Sequence, residues 1–330
     1  MSEVAPPLTD PDIATLSEVL DPIALAKHLR ASPLSSGNRG ATEEVQVRVL
    51  RHHRRQRCTM DIGLRAGDGW HSVIGKVFYN DRFDIFLAME GIRQAGFGAH
   101  DEFSIPQPLA YLASLRLFVQ EKVEGPLAKE IFITGDDRSR AAAAERCALW
   151  LARFHTLAPK AGEVFDSECF LSLLRDRTRK INKLGGRCAE KSTRLLRRLE
   201  DVASLLAPVE MRAGHGSFSP AQIVLSEGRT VVFDWDGYDV ADPARDVARF
   251  FHATRRVALD QLGSISALDG AADVFRETYF AAGKPEVKTN LWFYEAASCL
   301  KLARTVAHWQ EKSEQFLDEG LRVLDAETLQ

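Results

Sequence analysis

The chain has 330 residues and a mass of 36.7 kDa, enough for two domains or one bilobal unit. Hydrophobic residues make up 45% and charged residues 27%, which excludes a disordered or fibrous chain. With 46 acidic against 43 basic side chains the net charge is −3, so neither nucleic acid nor an anionic membrane is expected as a partner of the whole surface.

The first twelve residues, MSEVAPPLTDPD, lack the cationic and apolar regions of a signal peptide and are expected to be disordered. Apolar side chains then fall on every second residue from Val45 to Val49 and again at Cys58, Met60, Ile62 and Leu64, which predicts two strands. RHHRRQR between them reads as a solvated hairpin turn, because its four arginines and two histidines carry no interleaved aromatics. A turn at Ala66-Gly67-Asp68-Gly69 leads into a third strand, HSVIGKVFY, and Arg82 to Gly96 follows with helical spacing. LAYL and RLFVQEKV predict a further hairpin ending at Glu124-Gly125-Pro126, the best linker candidate.

Beyond that point the texture becomes helical. Helices are predicted over Arg138–Leu157, Phe170–Leu184, Ser192–Leu206, Pro243–Arg256, Leu268–Ala282 and Asn290–Leu324, interrupted by one strand-rich stretch, IVLSEGRTVVFDWD. This gives an α+β chain with a β-rich part over 1–124 and a mostly helical part over 125–330. Cys58, Cys147, Cys169, Cys188 and Cys299 show no C-x-x-C spacing, which fits a reduced cytoplasm and argues against zinc or iron–sulfur. No run approaches the roughly 18 apolar residues that would span a bilayer.

The informative feature brackets the hairpin of the helical part. His215-Gly216-Ser217-Phe218-Ser219-Pro220-Ala221-Gln222 stands before it and Phe233-Asp234-Trp235-Asp236-Gly237 after it. Phosphoryl transfer needs a loop residue that orients the acceptor hydroxyl, an amide or carboxylate on the metal, and a carboxylate bridging metal and phosphates. A short hairpin brings two such groups to one place.

At these residues the chain resembles the aminoglycoside phosphotransferase and choline-kinase-like branch of the protein-kinase-like fold. The family pattern H-G-D-x-x-x-x-N, hairpin, D-F/W-D/E, G-D-P-x-x-D is filled in order by HGSFSPAQ and FDWDGYDVADPARDVARF, with Asp242, Pro243 and Asp246 closing it. LARFHTL around His155 matches a helix of the family's C-terminal lobe. The resemblance implies a bilobal fold, ATP or GTP with Mg²⁺ as cofactors, and a small-molecule hydroxyl as acceptor. It implies Lys76 on the nucleotide phosphates, Glu90 as the acid that holds Lys76, and the main chain near Glu121 to Val123 at the adenine edge. Asp234 and Gln222 are implied as metal ligands, with Asp236 either a further ligand or a turn former. His215 is implied as the residue orienting the loop.

Two positions depart from the pattern. Ser217 stands where the family has its catalytic aspartate, and a hydroxyl cannot take a proton as a carboxylate would. Gln222 replaces the metal-binding asparagine and carries its amide oxygen one methylene further out. An active kinase of reduced rate and a catalytically inactive, pseudokinase-like binding or regulatory module therefore both remain open.

Other assignments are plainer. Ser35 to Gly40 is a candidate phosphate loop. Asp242 and Asp246 are read as helix caps that brace the loop. Trp292, Phe293 and Tyr294 are read as core, and Cys147 and Cys299 as inert buried thiols. An acidic cleft built from Asp239, Asp242 and Glu295 would favour a cationic acceptor.

Overall fold

The computed structural model describes residues 8–32, 43–67, 69–283, 285–303 and 309–327; Ser35–Gly40, Asp68 and the first seven of the twelve N-terminal residues lie outside them. Contacts divide the chain into two compact units, Met1–Glu124 and Gly125–Gln330.

In the first unit, two short helices, α1 (Leu16–Leu20) and α2 (Pro22–Arg30), precede a five-stranded antiparallel sheet. Asp21 caps α2 by accepting from the Ile23 and Ala24 N–H groups at 2.8 and 3.3 Å, and Pro22 pre-sets the first turn. The strands are β1 (Glu44–His53), β2 (Arg57–Ala66), β3 (Gly69–Phe78), β5 (Pro108–Leu112) and β6 (Leu117–Glu121), in the order β1-β2-β3-β6-β5. A two-residue strand, β4 (Phe103–Ser104), and helix α3 (Phe83–Gln94) lie in the crossover from β3 to β5. Leu16, Val19, Leu25 and Leu29 share a core with Met60, Ile62, Val77, Leu117 and Val119, so the two helices cover one face of the sheet.

The expected disorder over residues 1–12 does not extend to Leu8–Asp12. Asp10 is buried, accepts the Arg55 N–H at 2.7 Å and lies 2.8 Å from His52 Nε2. The basic hairpin turn shrinks accordingly, because β1 and β2 run through most of RHHRRQR and leave Arg54–Gln56 to turn with Arg55 at φ +64°. A left-handed arginine is uncommon, and the Asp10 bond holds it there.

The second unit contains helices α4 (Ala128–Thr134), α5 (Asp137–Leu157), α6 (Ser167–Asn182), α7 (Gly186–Val202), α8 (Ala244–Val257), α9 (Asp269–Ala282), α10 (Leu291–Leu302) and α11 (Gln310–Glu327). Its strands are β7 (Val164–Phe165), β8 (Arg212–Gly214), the hairpin β9 (Ile223–Ser226) and β10 (Arg229–Val232), and β11 (Asp239–Ala241). β11 runs parallel to β7 and antiparallel to β8. Arg146 of α5 braces the hairpin through the Ser226 carbonyl at 2.9 Å, the Arg229 carbonyl at 2.5 Å and the Thr230 hydroxyl at 3.1 Å.

The single helix expected over Asn290–Leu324 is two. Ala303 leaves helical geometry at ψ +130°, and Arg177 of α6 donates to the carbonyl freed there. α11 then returns, so that Trp309 and Phe316 close on Leu259, Cys299 and Leu302. Phe293 and Tyr294 are buried, as are Cys147 and Cys299.

The site is positioned from below by one carboxylate. Asp246, in the first turn of α8, accepts the His215 N–H at 2.6 Å and the Gly216 N–H at 3.1 Å. His155 Nε2 lies 3.6 Å away on its other side, and His155 Nδ1 meets the Tyr279 hydroxyl at 2.7 Å. Burial alone would raise the Asp246 carboxyl, but the His155 contact and the Arg245 charge outweigh it and hold the group far below the ordinary carboxylate range. Gly216 turns at φ +75° so close to Gly237 that a Cβ would overlap the Gly237 carbonyl.

Replacing Asp246 by Ala leaves two loop N–H groups unmatched in the interior and should lower unfolding free energy by about 3 kcal/mol or more in a urea titration. Wild-type stability should also depend on pH through His252. It is fully buried, and burial pushes it down to about 3. The unfolded chain binds this proton below about pH 6.5 and the folded chain does not, so stability falls as pH drops from about 6.5 to about 3, at ~1.4 kcal/mol per pH unit for this group. Denaturant midpoints against pH check it: His252→Leu should flatten the slope, and an unchanged slope would show the acid sensitivity to lie elsewhere.

Candidate active site

Two alternations build the site. In His215-Gly216-Ser217-Phe218-Ser219, Phe218 is fully buried against Trp150 at 5.8 Å and Phe250 at 5.4 Å between ring centroids. In Asp234-Trp235-Asp236, Trp235 is buried, donates its indole N–H to the Val232 carbonyl at 3.0 Å and packs on the His215 ring at 4.7 Å. Each aromatic roots its loop in the core, leaving Ser217, Gln222, Asp234 and Asp236 half-buried and reachable. Asp234 itself sits in the left-handed region at φ +74°, a strained conformation of the kind that collects at functional sites.

The polar groups interlock. His215 Nε2 lies 3.1 Å from the Phe233 carbonyl, which fixes Nε2 as the protonated nitrogen and leaves Nδ1 a lone pair. That lone pair faces the Ser217 hydroxyl at 3.4 Å. Burial pushes His215 below its ordinary range, so the ring stays neutral. Gln222 Nε2 donates to Ser217 Oγ at 3.0 Å and to Asp234 Oδ2 at 3.2 Å, while its Oε1 accepts from the Ser219 hydroxyl at 2.9 Å.

Hard oxygen donors of this kind, carboxylate plus amide, suit Mg²⁺, which takes one or two carboxylates and fills its remaining positions with water and phosphate. Gln222 presents its nitrogen to Asp234, because an ionised carboxylate only accepts. Turning the amide over would put Oε1 beside Asp234, and the Ser219 hydroxyl can exchange donor for acceptor. The residues present therefore fit the ion.

In the first unit Lys76 is 6% exposed, central in the sheet opposite Thr59 and Phe118. That excludes a solvated lysine. Glu90 is engaged elsewhere than expected: Arg93, one turn on, takes both of its oxygens at 2.7 and 3.3 Å. The i, i+3 spacing makes that local pair the cheapest available. Glu121 ends β6 and braces the chain at Gln107, whose N–H it accepts at 3.0 Å, while Val123 follows in irregular backbone.

The expected acidic cleft does not form. Asp239 is held by Arg245 in a two-pronged pair at 2.5 and 2.7 Å, Asp242 accepts from Asn290 at 2.9 Å and from the Ala244 N–H at 2.9 Å, and Glu295 lies 3.8 Å from Arg276. Sequence reasoning missed Ser219, Tyr279 and Asn290. Of these only Ser219 carried a signal, as the polar residue two positions beyond Ser217 and three before Gln222.

The chain is similar to known proteins in fold and in family. A glucosamine kinase solved with glucosamine, ADP and inorganic phosphate superposes with a TM-score of 0.62 at 16% identity, over 92% of this chain and 86% of that one. A choline/ethanolamine kinase family protein from Mesorhizobium loti gives 0.57 at 16% identity over 91% and 93%, and the choline kinase LicA from Streptococcus pneumoniae gives 0.57 at 15% over 92% and 99%. These likenesses show the protein-kinase-like fold. No sequence among the curated proteins matches the chain. No helix among the described residues is long and apolar enough to cross a membrane. The model of the phosphotransferase enzyme family matches residues 86–287, well over half of the chain and inclusive of both loops, so the chain belongs to that family.

Proposed function

We propose that this chain is an ATP- or GTP-dependent kinase of a small-molecule hydroxyl, working slowly in a reducing cytoplasm. The observation that carries the reading is the bonded trio Ser217, Gln222 and Asp234, which puts an acceptor-orienting hydroxyl and a metal-ligand pair within hydrogen-bond reach. Nucleotide binding is supported by family membership and by the ADP found with the similarly folded glucosamine kinase. The five free cysteines, four of them buried, suit reducing surroundings.

In this reading Asp234 holds Mg²⁺ together with the turned amide of Gln222, and Asp236 is the further carboxylate available. The ion supplies charge neutralisation on the phosphates. Lys76 serves the nucleotide phosphates, and the main chain from Glu121 to Val123 serves the adenine edge. The acceptor hydroxyl donates to Ser217 Oγ, whose own proton points at the neutral His215 Nδ1. Its oxygen would attack the γ-phosphorus as the bond to the bridging oxygen breaks and the nucleoside diphosphate departs, and its proton would pass to an oxygen of the transferred phosphoryl group or to water, since Ser217 offers no carboxylate to receive it. Positioning and charge carry most of phosphoryl transfer, so the missing base slows the reaction without forbidding it.

Ser217 also favours a second reading, in which the chain binds nucleotide without turnover. Melting curves with Mg-ADP test what both share: at 100 times Kd the fold gains ~2.7 kcal/mol, and no shift would sink the nucleotide reading. Turnover then separates them. For a working kinase, Asp234→Ala abolishes transfer and Ser217→Asp raises it by ~10²–10⁴-fold, whereas equal background rates in all three proteins indicate a binding module.

A further inference from the structure

Helices α6, α8 and α10 bring together basic side chains that phosphoryl transfer does not use. Arg245 and Arg249 stand one turn apart on α8 and share a face. Lys301 lies in the last turn of α10, and Arg177 of α6 reaches the same end through the Ala303 carbonyl. Arg249 is repelled by Arg256 and Arg177, and Lys301 by Arg249 and Arg245, so these charges crowd one another.

The nearby carboxylates are committed. Asp239 is paired with Arg245, and Asp246 is occupied by the catalytic loop. Arg249 is left over: its buried Nε and Nη1 meet no acceptor among the described residues. A guanidinium cannot shed its proton to escape burial as a lysine can, and an unmatched buried charge is costly. Burial and the neighbouring cations push Arg249 down to about 9 and Lys301 down to about 7, the mark of a place short of negative charge. Arg177, Arg249, Arg256 and Lys301 remain half-buried; the Nε–Nη1 edge of Arg249 is closed to solvent, so an incoming group meets the guanidinium at its Nη2 end. Aromatic faces line the same region, with Phe165 under Arg245 at 4.7 Å, Phe170 under Lys301 at 5.4 Å, and Tyr294 stacked on Phe170 at 5.9 Å.

We infer that Arg249 and Lys301 form an oxyanion site and, resting on the kinase reading above, that it holds a carboxylate or phosphate group of the acceptor. Arg249 follows Asp246 by three residues, about 5 Å along α8, which sets the oxyanion one helical turn from the anchor of the catalytic loop. Nη2 of a guanidinium carries two N–H donors for an oxyanion, and Lys301 adds a point charge. The aromatic faces suit an apolar body joining that group to the hydroxyl.

Inorganic phosphate is the probe, titrated calorimetrically into the full chain with and without saturating Mg-ADP, ionic strength being held constant with chloride. We expect one site of millimolar affinity, weakened at least tenfold by Arg249→Met and by Lys301→Met and partly kept by Arg249→Lys. In chloride alone Arg249→Met should melt no lower than wild type, and phosphate should no longer raise its Tm. A merely structural arginine would do the reverse, with a lower Tm and the phosphate response retained. If Arg249→Met does not fold, Lys301→Met carries the same test. No binding by wild type, or equal affinity in all variants, overturns the site. With turnover in hand, a hydroxy acid should exceed its own amide at least tenfold in kcat/KM, and Arg249→Met should erase the difference. A preference that never existed, or that survives Arg249→Met, overturns the acceptor assignment. Failure of Mg-ADP to bind would instead count against the kinase reading and leave phosphate binding to the nucleotide-free chain unaffected.

Discussion

The candidate site depends on a single buried carboxylate. Asp246 takes both N–H groups of a turn that no β-ladder pairs, and it does so from a helix rather than from a neighbouring loop. A charged acceptor makes each of these bonds about twice as strong as a neutral one. The cost of burying the charge is offset because His155, Arg245 and the two N–H groups surround it. Everything downstream follows from the turn being held: Phe218 is directed into the core, Ser217 away from it, and Gln222 comes within reach of Asp234.

The order of the elements was legible in the sequence because strand and helix periods differ and because turn residues punctuate them. The β1–β3 meander, the β5–β6 and β9–β10 hairpins and helices α5, α8 and α9 all appear where spacing puts them. The misses have physical causes. α1 and α2 are too short to stand alone and exist because the sheet beneath them needs a cover. The break at Ala303 is invisible locally, since the apolar pattern continues and a side chain from α6, distant in sequence, rewards the chain for leaving the helix. Asp10 looked like part of a solvated tail because its partners lie more than forty residues away.

The site was legible in residue identity but not in bonding. The positions of Ser217, Gln222, Asp234 and Asp236 followed from their order around the hairpin. That Gln222 turns its nitrogen, not its oxygen, toward Asp234 follows only from seeing that Asp234 can accept and Ser219 can donate. Glu90 shows the opposite limit: its helix was read correctly, yet a nearer arginine claimed it. Charge followed the same rule for Asp239 and Asp242, which resembled part of an open cleft in the sequence and are each bonded, while Glu295 lies beside Arg276 with one buried oxygen unbonded and Arg249 keeps two buried N–H groups without an acceptor among the described residues.

Phe218 and Trp235 set the heights of the two loops, while Ser217, Asp234 and Asp236 beside them are half-buried. Fold and chemistry are thus written on alternate residues of the same short segments. An exchange at one of these half-buried positions, such as Ser217 for an acid, leaves the aromatic packing untouched and does not mark the chain for unfolding or proteolysis. The residue at position 217 can therefore change without loosening the packing that holds the loop, so the chemistry available there is separable from the stability of the scaffold.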